Sequence, residues 1–178
     1  DAGQIPMAGY ADLMRFALLE HYGGTWIDST VYLTEPLPDT ILNSDFFAVR
    51  NSLLLIDNPV LYPAWFLHAK KGNKTIREVR NVAFLYWLKN EHVIEYLLPN
   101  LIITLVVKSN PEVEKAIPYM NSDYSEYLVK VLADDYSEEK WNWIKKLTGI
   151  HKLTYKLDAD IKHGHNFYDY LITSSDEK

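Results

Sequence analysis

Four side chains able to do chemistry stand in an apolar stretch near the start of the sequence: Asp12, Arg15, Asp28 and Thr30. Asp12 and Arg15 are three residues apart, which sets them side by side on one helical face. Asp28 follows Trp26 and Ile27, shortly after the pair Gly23-Gly24. Thr30 lies two residues further and shares a face with Asp28 wherever that segment is extended. A carboxylate at a strand end can hold a divalent cation or accept hydrogen bonds from ribose hydroxyls, and Gly24 beside it lets backbone approach a bulky ligand. The same spacing also fits a plainer arrangement, with Asp28 capping a turn and Asp12–Arg15 forming a local ion pair.

A second group is His151, Lys152 and Lys156. Lysines near a loop can neutralise a departing diphosphate, and a neutral imidazole can ligate a metal or bond a phosphate oxygen. Read plainly, the group is two solvated lysines and a surface histidine. His163-Gly164-His165 offers a metal pair with no third ligand nearby in sequence, which also describes a surface loop. Asp134-Asp135 reads as a solvated helix cap. There is no G-x-S-x-G, P-loop, G-x-G-x-x-G or H-E-x-x-H pattern. No residue pair singles itself out as a glycosidase dyad.

The elements that must position these groups can be read from periodicity and turn signals. A helix is expected over 9–21, ended by Gly23 and Gly24, with a strand over 25–27 that leaves Asp28 at its carboxyl end. Strands follow at 31–33, 46–49 and 53–56, with turns at Pro36-Leu37-Pro38 and Asn58-Pro59. Residues 60–69 and 76–89 read as amphipathic helices, and 101–107 as a buried strand. Further helices are expected at 112–117, 124–133, 138–147 and 159–171. Strands early and helices late indicate an α/β (or α+β) fold with a helical C-terminal half. With no linker or repeat, one domain over 1–172 and a polar, frayed tail over 173–178 are expected.

Composition narrows the classes. The chain has 178 residues, 48% of them hydrophobic, enough for a sizeable core. A formal net charge of −6 argues against nucleic acid as a partner. The absence of cysteine removes disulfides, thiolate metal sites and thiol nucleophiles together. The longest apolar run, 97–107, is broken by Pro99 and Asn100 and is too short to span a membrane. Aromatic residues, 13% of the chain, suit either sugar-stacking surfaces or an aromatic core.

Residues 11–30, ADLMRFALLEHYGGTWIDST, carry an acid–arginine helix, a Y-G-G turn and a W-I-D strand end. Far downstream, residues 150–156 read IHKLTYK. The two segments, in this order, resemble the capsular polysaccharide synthesis family, close to glycosyltransferases with a DxD motif. The resemblance implies a GT-A-like fold and a nucleotide-sugar donor. It also implies transfer, with retention of configuration, to a saccharide or lipid-linked saccharide acceptor. Asp12, Arg15 and Gly24 would meet the donor, Asp28 would be the first DxD acid, and Thr30 stands where the second acid is expected. His151, Lys152 and Lys156 would approach the diphosphate, with Asp28 and His151 as metal ligands for Mn²⁺ or Mg²⁺; Thr30 gives that metal one charged ligand fewer. No residue is assigned as the catalytic group.

Relatives carry a nucleotide-binding βαβ section ahead of the first helix. The resemblance therefore implies that this chain is the C-terminal part of the catalytic domain, cytoplasmic and peripherally associated with the membrane's inner face. Residues 61–87, rich in Trp and Tyr, are an acceptor-side candidate. Two other functions fit the same residues: a non-catalytic carbohydrate-binding or scaffold module, and a metal-assisted hydrolase using Asp28 and His151.

Overall fold

The computed structural model describes residues 5–52, 59–157, 161 and 164–175. The elements run α1 (Met7–Tyr22), β1 (Gly24–Ile27), β2 (Val31–Leu33), α2 (Asp39–Leu42), β3 (Phe46–Ala48), β4 (Phe66–Ala69) and α3 (Lys74–Lys89). They continue as α4 (Leu98–Lys108), α5 (Pro111–Ala116), α6 (Ser122–Ser125), α7 (Tyr127–Lys130), α8 (Glu138–Leu147), β5 (Ile150–Lys152) and α9 (Phe167–Ser175). The fold is mixed α/β. The chain divides into two compact units, Asp1–Asp28 with Pro38–Asn121 and Ser29–Leu37 with Ser122–Lys178. The boundaries fall in short, ordinary-looking segments without a Gly/Ser linker, so composition carries no mark of them.

In the first unit, β1, β4 and β3 form an antiparallel sheet in that order, with Gly24 opposite Ala69, Ile27 opposite Phe66, and Phe46 opposite Ala69. Helix α1 packs on α3, and α3 on α4. Phe16 and Leu19 of α1, Ile76 and Val79 of α3, and Ile103 and Val107 of α4 meet Leu67 and Ala69 in one apolar core. Helix α1 ends where its periodicity predicts. Gly23 takes φ 72°, its N–H bonds to Leu19 O at 2.9 Å, and a Cβ there would lie 2.5 Å from Lys71 N. Only glycine permits both the left-handed backbone and that approach.

Residues 60–69 are not a helix. Thr104 Oγ1 accepts from the amides of Leu61 (3.0 Å) and Tyr62 (3.2 Å), and Asn100 Oδ1 accepts from Ala64 N at 3.0 Å. Asn100 thus takes the Ala64 amide and Asn51 Nδ2 the Val60 carbonyl (2.8 Å) that a helix starting at 60 would have paired, and the segment runs as irregular chain, with a turn at Ala64–Trp65, into β4, the central strand. Every β4 residue is buried, so period-two alternation is absent from its sequence. The opposite correction applies to 101–107, which lies inside helix α4 instead of forming a strand. Pro99 stands in its first turn, and Leu98, Ile102, Ile103, Val106 and Val107 are buried while Leu105 is exposed. The β-branched residues suggested a strand, but eleven residues with an i, i+4 buried stripe make a helix.

The second unit pairs β2 with β5 antiparallel, Tyr32 opposite His151. Leu128, Leu132, Trp141, Ile144, Phe167 and Leu171 form its core. Ser137 caps α8 by accepting from Lys140 N at 3.2 Å, with Glu138 and Glu139 in the first turn and Lys145 and Lys146 in the last, both favourable to the helix dipole. The helix expected over 124–133 is divided into α6, α7 and a following turn. The last helix begins at Phe167 rather than 159, and Thr173–Ser175 of the expected tail belong to it. The expected strand at 53–56 and His163 lie outside the described residues.

Candidate functional site

The first set of expected residues is brought together by a reversal of the chain. From Arg15, α1 climbs about seven residues at ~1.5 Å each before Gly23 turns it, and β1 descends four residues at ~3.3 Å each. The two lengths nearly cancel, so Asp28 returns level with Arg15. Arg15 NH2 reaches Asp28 Oδ1 at 3.2 Å and Arg15 NH1 reaches Asp12 Oδ1 at 3.2 Å. Trp26 Nε1 donates to the same Asp28 oxygen at 2.9 Å, and its ring lies under the guanidinium at 5.0 Å. The Asp28 amide donates to Trp65 O at 3.0 Å, fixing the strand end. Because β1 is an edge strand paired antiparallel with β4, the site owes its place to this α1–β1 return and not to the crevice of a parallel sheet.

Burial sets the electrostatics. Arg15 is 8% exposed, whereas the side chains of Asp12 and Asp28 keep 21% and 28% of their surface. Desolvation by burial pushes the Asp12 carboxyl up from 3.8 to about 6; Arg15 opposes the rise and Asp28 adds to it. Asp12 also borders an apolar cavity of about 140 Å³ walled by Leu13, Phe16, Trp87, Tyr96 and Ile102. Arg15 spends its two terminal nitrogens on carboxylates, so it acts here as the clamp between two acids. To grip a phosphate it would have to release one of them. Trp26, which touches both Arg15 and Asp28, was not singled out by spacing; its adjacency to Asp28 in the sequence was the available signal.

The second set lies in the second unit, where β2–β5 pairing carries Thr30 to Lys152 across 122 positions. Lys152 Nζ donates to Thr30 Oγ1, and Leu153 N donates to Thr30 O at 2.8 Å. His151 is not the surface histidine of the plain reading. It is fully buried, Nε2 lies 3.1 Å from Thr34 Oγ1, Nδ1 has no partner, and the ring packs 6.0 Å from Trp141. Burial lowers its pKa from 6.5 to about 4, so it stays neutral through the physiological range. Lys156 sits on an exposed turn, its Nζ 5.7 Å from the Tyr155 ring centre.

The residues were tested for fit to a divalent cation. Asp28 Oδ1 already accepts from Trp26 and Arg15, and a guanidinium bridges Asp28 to Asp12. Among the described residues no group of three or more His, Asp or Glu gathers to hold a metal. His151, expected as a ligand with Asp28, has no solvent-exposed ring atom. The side chains therefore do not form a resident metal cage, and no chemical step is derived through one. What they do form is a partly exposed pair of carboxylates held by one guanidinium, suited to sugar or ribose hydroxyls, with the Gly-Gly turn at the opposite end of β1 from Asp28. Gly24 there has φ 100° and open space where a Cβ would point. Asp134, expected to cap a helix, instead accepts from Lys140 Nζ at 2.5 Å, while Ser137 is the cap of α8. Of the acceptor-side candidate 61–87, Tyr62, Trp65 and Phe66 are core, while Trp87 lines the apolar cavity. No described helix is long and apolar enough to cross a membrane.

No curated protein matches the chain. Residues 1–171 match the family described as capsular polysaccharide synthesis protein. The chain belongs to that family.

Proposed function

We propose that this member of the capsular polysaccharide synthesis family is a glycosyltransferase, of GT-A-like construction, moving a sugar from a nucleotide-sugar donor to a saccharide acceptor. In the transfer, the bond from the sugar's anomeric carbon to the diphosphate oxygen breaks with its electron pair left on the diphosphate, a bond to an acceptor hydroxyl oxygen forms, and that hydroxyl's proton passes to the departing diphosphate or to solvent. The observation that carries this reading is the pair Asp12–Asp28 clamped on Arg15 where α1 and β1 return alongside each other. Two carboxylates held in fixed positions and still partly exposed can orient several hydroxyls of one sugar, and preorganisation is what group transfer requires of its binding site. Trp26 fixes Asp28 by its indole N–H and Arg15 by its ring face. Asp12, with a pKa of about 6, can exchange a proton near neutrality. In the second unit, Lys152 and Lys156 are the cations this reading assigns to diphosphate charge. Mg²⁺ or Mn²⁺ enters only as a companion of the donor's diphosphate.

Calorimetry with UDP- and GDP-sugars, with and without Mn²⁺, tests the reading. Asp28→Asn and, separately, Lys152→Met should each weaken donor binding by roughly tenfold or more, the value of one charge-assisted hydrogen bond. Unchanged affinity in both variants would defeat the assignment. The commitment of the Arg15 guanidinium to internal carboxylates favours a second reading, a non-catalytic carbohydrate-binding module of the same descent. Sugar transfer or donor hydrolysis by the protein rules that out.

A further inference from the structure

A second cleft of the first unit, of about 610 Å³, opens at the amino end of α3, bordered by Asp45, Phe46, Lys74, Thr75, Asn110 and Glu112 among others. Helix α3 is 16 residues long and is capped by Asn73, whose Oδ1 accepts from Ile76 N at 3.1 Å. The amides of Lys74 and Thr75 stand ahead of the helical ladder and have no partner within the helix. Thr75 is the decisive residue. It is 7% exposed, yet no described protein group bonds its hydroxyl, which is also not among the polar atoms sealed from solvent. A hydroxyl so nearly buried, lining a cleft and lacking a protein partner, is placed for a ligand.

The chemistry of that ligand follows from the rest of the lining. A phosphate would suit the helix terminus and Lys74, but its negative charge would face the carboxylates of Asp45 and Glu112. Asp45 is itself paired with Lys70 at 2.7 Å. Donors and acceptors both line the cleft, with Phe46, Val113 and Ala116 as an apolar floor. A polyhydroxylated ring both donates and accepts and has an apolar face, so it satisfies all three features. Phe46 pairs with Ala69, which pairs with Gly24, four residues along β1 from Asp28. At ~3.3 Å per residue the cleft lies about 13 Å from the acid pair along the strand, farther than a single sugar ring reaches.

We infer that this cleft is a saccharide subsite separate from the Asp12–Asp28 pair, holding a remote sugar of a glycan chain. The inference rests on the polysaccharide reading for its choice of ligand.

Amide-resolved NMR titration of the whole chain tests it. Probes are glucose, galactose, N-acetylglucosamine, glucuronate and cellotetraose, with inorganic phosphate as the competing chemistry. At least one saccharide should shift the amides of Lys74, Thr75 and Glu112. Thr75→Val should weaken that binding roughly tenfold, about one hydrogen bond. Glu112→Ala, on an exposed surface, should weaken it with no effect on folding. Asp28→Asn should leave it unchanged. The inference is overturned when no saccharide at high millimolar concentration shifts these amides, when phosphate alone does, or when both variants bind as the parent does. Loss of the donor reading is a separate result: saccharide shifts here without any donor affinity would leave a carbohydrate-binding module.

Discussion

Asp12→Asn is the sharpest test of the electrostatics at the acid pair. The substitution keeps the side chain's size and its ability to accept from Arg15 while removing the ionisable proton. In the folded protein the Asp12 carboxyl titrates at about 6 instead of 3.8, chiefly through desolvation. That difference corresponds to on the order of 3 kcal/mol against the ionised form. The side chain is 21% exposed, and solvent screening brings this to about 2 kcal/mol. Between about pH 4 and 6 the folded state keeps a proton that the unfolded chain has lost. Raising pH through that window therefore removes stability. Parent and variant should be equally stable near pH 4, and the variant should be more stable by about 2 kcal/mol at pH 7. Urea denaturation at several pH values reads the difference, and carbon-detected NMR of the carboxyl reads the midpoint directly. A carboxyl midpoint below 3.8, or a variant less stable than the parent at pH 7, would show that Arg15 outweighs desolvation and refute the reasoning.

Two further outcomes are expected. His151 has the opposite sign: its folded pKa of about 4 lies below the usual 6.5, so it contributes stability above the unfolded value that is lost as pH falls through that window. His151→Phe should therefore be more stable than the parent at about pH 5 and should flatten the acid-side loss, as followed by thermal melts; an unchanged pH profile would place the ring in contact with water. Gly23→Ala combines a positive φ with a Cβ 2.5 Å from Lys71 N. It should cost roughly 2–4 kcal/mol by chemical denaturation and weaken donor binding by displacing Asp28; a loss under about 1 kcal/mol would mean that the turn yields easily.

Local physics made much of this protein readable from its sequence. Helix α1 and its Gly23 stop, the short strands β1, β2 and β3, and helices α3, α5 and α8 follow from periodicity, caps and glycine, all short-range. Membership of the capsular polysaccharide synthesis family was likewise legible, in the order of two motifs. The three-residue spacing of Asp12 and Arg15 already implied their ion pair. What tertiary structure decided is where a local pattern had two solutions or depended on distant groups. Residues 60–69 became irregular chain and a strand because Asn100 takes the Ala64 amide and β4 pairs with β1 and β3, and 101–107 became helix because one stripe of a short apolar run found a core. His151 and Thr75 look like ordinary polar residues in the sequence. Only packing made one a neutral core imidazole and left the other with an unanswered hydroxyl at a cleft, because desolvation and hydrogen-bond satisfaction are set by neighbours far away along the chain.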